Sequence, residues 1–215
     1  MRAKERFLSL FYCCLSLCDK STNMNLDLSG KKAIVCGSTQ GLGLASAQEI
    51  ALLGAEVMLV ARNEDRLKAA VQTLDIARQQ KHGYLVADFS DPQNVQNAIG
   101  SYLSSGKTAH ILVNNTGGPA GGMAINAKTE EFIAAFSSHL ICNQILVQAL
   151  VPGMKEAGYG RIINIISTSV KMPLPNLGVS NTIRGAVASW AKTMANELGQ
   201  FNITVNNVLP GFGVS

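Results

Sequence analysis

A glycine-rich turn between an apolar run and a helical pattern is the feature that most constrains how this chain folds. The run Ala33-Ile34-Val35-Cys36 leads directly into Gly37-Ser38-Thr39-Gln40-Gly41-Leu42-Gly43 and then into a helix-like stretch. Glycines let the backbone turn tightly and approach a ligand, and the free N–H groups of a helix N-terminus favour an anion. The spacing is typical of a turn that binds the pyrophosphate of a dinucleotide, but an ordinary strand-to-helix turn uses the same residues.

Short apolar runs and helical patterns alternate along the rest of the chain. The predicted strands are 33–36, 57–60, 84–87, 111–114, 161–166 and 203–208, and the predicted helices are 42–53, 64–80, 91–104, 129–157 and 178–198. Apolar strands separated by helices indicate a parallel sheet that is covered on both faces. Right-handed crossovers then give a doubly wound, Rossmann-like α/β fold with three layers and a ligand crevice at the carboxyl ends of the strands.

Composition narrows the class of protein. The chain has 215 residues, 47% of them hydrophobic and 15% charged, which suits one domain with one sizeable core. The net charge of +4 is mild and no basic stripe alternates with aromatic residues, so we expect no nucleic-acid partner. Two of the five cysteines, Cys36 and Cys142, stand alone in apolar stretches, and no pair of CxxC spacings occurs. We therefore expect no metal site and a reducing, cytoplasmic location.

The first 23 residues are predicted to lie outside the fold. Three basic residues precede an apolar run at 7–18, which has the outline of a secretory signal. No small-x-small cleavage site follows it, and the run is too short to span a bilayer as a helix. Met24 stands just before the first strand and suits a natural start, so we assign 24–215 to the domain. The upstream segment is either an extension or mis-assigned start, or a real targeting or anchoring signal, and only the second reading involves a membrane.

The ends of the second and third strands bear on the choice of nucleotide. The second strand ends in Val60-Ala61-Arg62, with no acidic residue to hold the ribose hydroxyls of NAD. Arg62, helped by the hydroxyl of Ser38, is placed to pair with the 2′-phosphate of NADP; a solvated loop charge is the alternative. Asp88, after the third strand, suits either an adenine contact or a helix cap.

Three further motifs follow in a specific order. They are Asn114-Asn115-Thr116-Gly117, Asn164-Ile165-Ile166-Ser167 and Leu209-Pro210-Gly211. Together with the first turn they resemble the short-chain dehydrogenase/reductase family, from about Leu26 to Gly211, and within it the 3-oxoacyl-carrier-protein reductase-like branch. The resemblance implies an NADP-dependent oxidoreductase that interconverts a carbonyl and an alcohol by hydride transfer, with NAD as the less favoured cofactor. The implied cofactor-binding residues are Gly37, Ser38, Thr39, Gly41, Leu42, Gly43, Arg62, Asp88, Asn115, Gly117, Arg184, Pro210 and Gly211.

The catalytic positions of that family are where this chain departs. The family uses an Asn, a Ser, a Tyr and a Lys. Ser167 matches the Ser that holds the substrate oxygen, but Ser180 stands in place of the Tyr, Arg184 in place of the Lys and His139 in place of the Asn. No tyrosine elsewhere has a lysine four residues later, so the substitution is not a shifted motif.

These replacements change the chemistry that is available. The hydroxyl of Ser180 is far less acidic than a phenol, and Arg184 stays protonated, so it binds ribose hydroxyls but cannot shuttle a proton. His139 has a pKa suited to supplying that proton, or it simply fills a polar corner of a helix. The alternatives to an active reductase are a catalytically weak or inactive dinucleotide-binding protein and a truncated fragment.

The C-terminal end bears on assembly and on the substrate site. The family continues past Pro-Gly through a substrate lid, a helix and a seventh strand, whereas this chain ends at Ser215. We therefore predict a sheet without the last strand, and the expected homo-oligomer is in doubt. The segment 117–122 is either a wall beside the substrate or only a loop.

Overall fold

The computed structural model describes residues 25–211, which form one parallel sheet with helices on both faces. Its strands are β1 (Lys32–Cys36), β2 (Glu56–Ala61), β3 (Gly83–Val86), β4 (Ile111–Asn114), β5 (Gly160–Ile165) and β6 (Ile203–Val208). Its α-helices are α1 (Gly41–Leu52), α2 (Glu64–Val71), α3 (Pro92–Ser104), α4 (Thr129–Phe136), α5 (Cys142–Glu156) and α6 (Gly178–Leu198). The strand order β3-β2-β1-β4-β5-β6 confirms the predicted doubly wound, Rossmann-like fold.

The strand order reverses between β1 and β4, which pair with each other at the centre of the sheet. Val35 of β1 lies opposite Leu59 of β2 on one side and Val113 of β4 on the other. In open α/β sheets, ligands bind outside the carboxyl ends of the strands at such a reversal. The ends of β1 and β4, at Cys36 and Asn114, therefore mark the expected crevice.

Two apolar layers hold the sheet between its helices. On one face α1 and α2 contribute Ala47, Ala51, Leu67 and Ala70, all buried against the odd-numbered residues of β1. On the other face α3, α5 and α6 contribute Val95, Ile99, Leu146, Leu150, Met154 and Ala191. Small side chains on α1 let that helix approach the sheet closely. This close approach positions the N-terminus of α1 directly after the glycine-rich turn.

One predicted helix is much shorter than expected. Helix α2 ends at Val71, whereas the sequence pattern predicted a helix to residue 80. The hydroxyl of Thr73 donates to the carbonyl of Ala70 at 2.8 Å, and Asp75 accepts from the N–H of Ala77 at 3.0 Å. Such side-chain bonds compete with helical ones, and they fold the segment into turns. By contrast, α3 begins close to the predicted start at residue 91, where Asp91 caps it by accepting from the N–H of Gln93.

The helical stretch Thr129–Glu156 is interrupted by a π-helical turn at Ser137–Ile141, between α4 and α5. By length and composition this stretch could cross a membrane. However, Leu146, Leu150 and Met154 are buried in the core under the sheet, as in the core helices of many globular proteins. The π turn matters more here, because His139 lies inside it.

The described residues end shortly after the sixth strand. Strand β6 pairs with β5 alone, so it is an edge of the sheet in residues 25–211, and no seventh strand occurs in that part of the chain. The predicted extension at 1–23 and the prediction for its targeting role lie outside the described residues.

Candidate active site

The glycine-rich turn has the backbone that its sequence predicted. Gly37 and Gly41 both have left-handed conformations, with φ of 57° and 56°. A side chain on Gly37 would collide with the carbonyl of Asn115, and one on Gly43 would collide with the carbonyl of Gly37. Above Gly41 there is nothing within 4 Å of the position of a Cβ atom. Two glycines therefore pack the turn, while the third leaves an open approach to the N-terminus of α1.

Asn115 links this turn to the end of β4. Its Nδ2 donates to the carbonyl of Cys36 at 3.3 Å and to that of Gly37 at 3.2 Å. The amide thus holds the turn from the neighbouring strand, and it acts on the loop rather than on a ligand. Gly117, two residues further on, is exposed and has open space around it.

Ser38 belongs to the sheet, which corrects the role predicted for its hydroxyl. The residue is fully buried at 0% exposure, and its Oγ accepts from the N–H of Val60 at 3.0 Å. The prediction that this hydroxyl helps to hold a 2′-phosphate is therefore wrong. Through this bond, the hydroxyl of Ser38 extends the hydrogen bonding between β1 and β2 into the loop after β1.

Arg66 is a basic residue beside the turn that the sequence reasoning missed. Its Nη1 lies 3.4 Å from Oε1 of Gln40, the residue before α1. Thr39, Gln40 and Arg66 line a depression of about 300 Å³ between α1 and α2. Arg62 is exposed at the end of β2, and neither arginine forms an ion pair within residues 25–211. One signal was available: Arg66 lies one helical turn beyond Arg62, so both charges fall near the same end of α2.

Asp88 stabilises a turn through its carboxylate. Its Oδ1 accepts from the N–H and the hydroxyl of Ser90 at 2.9 and 2.8 Å. These bonds, from the backbone first, hold the pKa of the carboxyl below its ordinary value, with a smaller contribution from the charge of Arg62. The helix cap itself is Asp91. Asp88 therefore shapes the loop that leads to the cap, and the positive charge of Arg62 also favours its ionised form.

Three asparagines form a ladder across the carboxyl ends of β4, β5 and β6. Asn114 Nδ2 donates to Asn164 Oδ1 at 2.9 Å, and Asn164 Nδ2 donates to Asn207 Oδ1 at 3.0 Å. The three residues are in register. Asn114 Oδ1 is buried without a hydrogen-bond partner in the described residues, at the point where the strand order reverses. A buried acceptor without a partner is uncommon and favours a polar group or water at this place.

Two loops close one side of the crevice. The N–H of Gly122 donates to the carbonyl of Asn176 at 2.7 Å, and the N–H of Gly178 donates to that of Gly122 at 2.9 Å. A side chain on Gly178 would collide with the backbone of Ala124. These bonds tether the segment 117–122 to the start of α6, and its role as a wall beside the substrate stays a prediction.

Ser167 and Pro210 lie at the ends of β5 and β6. The Oγ of Ser167 accepts from the N–H of Ser169 at 3.1 Å, so the hydroxyl hydrogen stays free to donate. The N–H of Thr168 donates to the carbonyl of Pro210 at 3.1 Å, which ties the loop after β5 to the loop after β6. Gly211 follows and is exposed.

Arg184 is the most unusual charge in the site. It lies one turn after Ser180 on α6, and its Nη1 donates to the carbonyl of Ile165 at 2.8 Å. Burial lowers the pKa of the guanidinium, and the ion pairs within residues 25–211 do not include it. A largely buried cation without a carboxylate partner is costly, and a bound anion or a cluster of hydroxyls would offset that cost. Ser180 is partly exposed nearby.

His139 is brought to the end of β4 by the π turn. It is 3% exposed, and its Nδ1 lies 2.5 Å from the Oγ1 of Thr116. Burial, and then the charge of Arg184, lower the pKa of the imidazole to about 4. At neutral pH the side chain is therefore uncharged, and the predicted role of His139 as a proton-donating acid is wrong. The arrangement offers a neutral imidazole instead.

The remaining reactive groups do not compete with this site. Burial raises the pKa of the Cys36 and Cys142 thiols, to about 11 for Cys142, so neither is a thiolate at neutral pH. No cluster of metal-ligating side chains occurs in residues 25–211. The open turn, the free N–H groups at α1 and the half-buried Arg184 together fit a dinucleotide that lies across β1, β4 and β5.

Comparison with known proteins agrees with this geometry. The profile of the short chain dehydrogenase family matches residues 31–214. The chain is 31% identical to the 3-oxoacyl-[acyl-carrier-protein] reductase FabG of Rickettsia bellii over 87% of its length and 74% of the relative's. It is 30% identical to the gluconate 5-dehydrogenase of Gluconobacter oxydans, over 86% of this chain and 72% of that protein.

A solved structure gives the same result. The crystal structure of L-sorbose reductase from Gluconobacter frateurii, complexed with NADPH and L-sorbose, superposes with a TM-score of 0.84 at 34% identity. The match covers 89% of this chain and 73% of that one. The chain spans between 55% and 75% of the length of the curated relatives that it matches. The chain belongs to the short-chain dehydrogenase family of NAD(P)-dependent oxidoreductases.

Proposed function

We propose that this protein binds NADP and interconverts a carbonyl and an alcohol on a small substrate. The observation that carries the proposal is the pairing of an open glycine turn with a half-buried arginine, Arg184, that has no carboxylate partner in residues 25–211. The turn follows the carboxyl end of β1, and Arg184 is held at the carboxyl end of β5 by its bond to the carbonyl of Ile165. The sorbose reductase with the same fold was crystallised with NADPH, which supports the same cofactor here.

Each part of the nucleotide has a matching group in this proposal. The N-terminus of α1 and the space above Gly41 would hold the pyrophosphate. Arg184 would bind the hydroxyls of the nicotinamide ribose, with Gly118 beside it: a Cβ atom on that residue would lie 3.9 Å from Arg184 Nη2. Pro210 and Gly211 would close the nicotinamide end. The nicotinamide supplies the hydride, and the protein supplies the position and the charge.

The preference for NADP rests on Arg62 and Arg66 rather than on Ser38. Two cations near the end of β2, with no acidic residue there, favour an additional phosphate on the adenosine ribose. Asp88 lies on the same side and would meet the adenine. NAD would lose the contacts to both arginines and would bind more weakly.

Proton supply is the weak point of the reaction. Ser167 would donate a hydrogen bond to the substrate oxygen. Ser180 would occupy the position at which the family has the more acidic tyrosine. Loss of a positioned general acid typically slows a reaction by about 10²–10⁴-fold. We therefore expect a slow reductase, and no step in its rate near pH 6.5 from His139, because burial and the charge of Arg184 lower the pKa of that imidazole to about 4.

The substrate is proposed to carry an apolar part. Met123, Ile125 and Met172 are 54%, 84% and 70% exposed, and they lie on the two tethered loops beside the crevice. Apolar side chains exposed together mark a surface that another apolar group covers. This rim suits a 3-oxoacyl chain, as the name of the FabG relative suggests, better than a polyhydroxy acid. The buried, free thiols of Cys36 and Cys142 favour a cytoplasmic location.

A two-stage experiment tests this function. Titration with NADPH and NADH, followed by nucleotide fluorescence, measures binding, and oxidation of NADPH with a panel of ketones and 3-oxoacyl thioesters measures turnover. Tight NADPH binding with slow turnover on apolar ketones is expected. Absence of binding for either nucleotide at millimolar concentration would reject the proposal.

A catalytically silent nucleotide-binding protein is the second candidate. The observation in its favour is the combination of Ser180 with a neutral His139, which leaves no group of the site with a pKa near neutrality. Binding without turnover on any substrate would support it. The double variant Ser180→Tyr/Arg184→Lys separates the two: a large gain in rate shows an otherwise intact site, and a loss of existing activity shows that the present residues are the working ones.

A further inference from the structure

The two outer strands β5 and β6 are packed by helices on one face of the sheet. On that face, α6 packs on β6, and Ile162, Ile203 and Val205 are buried. On the other face, α1 packs on β1 and β2, and α2 packs on β2 and β3. Parallel sheets occur almost only with both faces covered. We therefore examine the side chains that β5 and β6 present on this second face.

These side chains are accessible to solvent. In the register of the two strands, Ile163 lies opposite Asn206, and Ile165 lies opposite Val208. Asn206 is exposed, Val208 is 46% exposed and the two isoleucines are half-buried, whereas Val205 on the covered face is 8% exposed. We call Ile163, Ile165, Asn206 and Val208 the open face. Apolar side chains exposed together mark a surface that another apolar group covers.

Two cations lie beside the start of β5, at the base of the open face. The guanidinium of Arg161 lies 4.2 Å from the centroid of the Tyr159 ring, and Nζ of Lys31 lies 4.3 Å from it. Nη1 of Arg161 also donates to the carbonyl of Asn202 at 3.1 Å, which fixes the side chain in place. The ion pairs within residues 25–211 include neither cation. A carboxylate is the group that would complete this base.

The N-terminal part of the chain enters the domain at the same place. Lys31 directly precedes β1, and Leu28 packs against the apolar cluster on the face of α1 and α2. In the sequence, residues 7–18 are an apolar run of 12 residues, and Asp19 follows it. The six residues between this run and residue 25 reach at most about 20 Å. Twelve residues measure about 18 Å as a helix, and a strand of six residues measures about 20 Å.

We propose that residues 7–18 of this chain cover the open face and that Asp19 pairs with Arg161 at its base. The run is apolar as the open face requires, its length matches that of the strands, and its one adjoining carboxylate lies on the side nearer to the domain, where the two cations are. The inference is independent of the proposed function. It differs from the sequence-based prediction that residues 1–23 lie outside the fold.

The native cysteines make this arrangement measurable in the full chain. Cys13, Cys14 and Cys18 lie within the apolar run. Cys36 and Cys142 are both 0% exposed, so a thiol reagent reaches them poorly in the folded protein. A single added thiol on the surface of the domain therefore reports its distance from the run.

Cross-linking with a short bismaleimide tests the proposal, with mass spectrometry to identify the joined peptides. Asn206→Cys adds a thiol on the open face, and the matched control Asn196→Cys adds one at an exposed position of α6, on the opposite face of the sheet. We expect about 10-fold more linkage of the run to Asn206→Cys than to Asn196→Cys, because docking raises the effective concentration of the thiols. Equal yields for the two variants, or no link to Asn206→Cys, would overturn the proposal.

A mixture of ¹⁴N-labelled and ¹⁵N-labelled chains distinguishes the occupants of the open face. Links within one chain support the proposal. Links between two chains would mean that a neighbouring copy covers the face, and they would overturn it. A segment that instead serves as a membrane anchor or is removed as a signal gives neither kind of link, which would overturn it as well.

Urea unfolding gives a second readout, on the proposed ion pair. Asp19→Asn and Arg161→Gln should each lower the urea midpoint of the full chain, and the double variant should lower it no further than the more severe single change, because the same pair is lost. Lys192→Gln removes an exposed cation on α6 and should add its effect to that of Asp19→Asn. Additive effects of Asp19→Asn and Arg161→Gln would overturn the pairing.

Discussion

Acidification should unfold this protein partly through one side chain, His139. A pKa of about 4 in the folded chain, against 6.5 for a free imidazole, means that the unfolded chain binds this proton more readily. The folded-state pKa is depressed, so the contribution to stability is fully present above pH 6.5 and is lost as the pH falls towards 4. Each pKa unit corresponds to about 1.4 kcal/mol, which gives a loss of about 3 kcal/mol over the whole window and about 2 kcal/mol by pH 5.

Urea unfolding at pH 7, 6, 5 and 4.5, for the native chain and for His139→Gln, measures this contribution. The replacement has its own effect on packing, so the informative quantity is the change with pH of the difference between the two unfolding free energies. We expect that difference to shrink by about 2 kcal/mol between pH 7 and pH 5. Arg184→Gln removes the smaller of the two causes and should leave part of the effect. Parallel pH curves for the native chain and His139→Gln would refute the reasoning, because the imidazole would then titrate equally in both states.

Three further changes test other parts of the structure. Arg66→Gln should weaken the binding of NADPH at least 10-fold and leave the binding of NADH nearly unchanged in fluorescence titrations. Lys68→Gln removes a cation two residues later that is paired with Glu64, and it should change the binding of neither nucleotide. Equal weakening of NADPH binding by the two variants would show a general charge effect. Gly43→Ala should destabilise the turn and abolish nucleotide binding, because the new methyl group would collide with the carbonyl of Gly37. Gly100→Ala, which has open space around it on α3, should instead raise the unfolding free energy measured in urea by about 0.5–1 kcal/mol. Asn164→Ala breaks both bonds of the asparagine ladder and should cost about 2–3 kcal/mol in the same assay; a cost near zero would mean that water replaces the amide.

The sheet and the first turn were predictable because local rules agree with the tertiary structure there. The central strands β1 and β4 are buried on both faces, so their continuous apolar runs are recognisable in the sequence alone. Gly37, Gly41 and Gly43 have the conformations or contacts that exclude a side chain. Asp91 and Pro92 start α3 as their residue types require. These features depend on neighbours in sequence.

The failures at Ser38 and His139 depend on contacts between distant residues, whereas the one at the end of α2 depends on local side-chain bonds. The hydroxyl of Ser38 was predicted to help bind a phosphate, but it accepts a hydrogen bond from the N–H of Val60, 22 residues away in the sequence. His139 was treated as an acid because its ordinary pKa is near neutrality, whereas burial and Arg184 oppose its charge. The end of α2 was missed because side-chain bonds of Thr73 and Asp75 outweigh a moderate helical pattern. A single sequence carries no direct record of such pairings.

The π turn at Ser137–Ile141 has a consequence for how this site can be altered. A π turn holds one residue more than a regular helix of the same span, so deleting one residue there would let α4 continue into α5 as one regular helix. Leu146, Leu150 and Met154 would then stay in the core, whereas a deletion within α5 itself would rotate the residues beyond it by about 100° around the helix axis. His139 lies inside the π turn, so the position of this side chain depends on the extra residue while the packing of α5 does not.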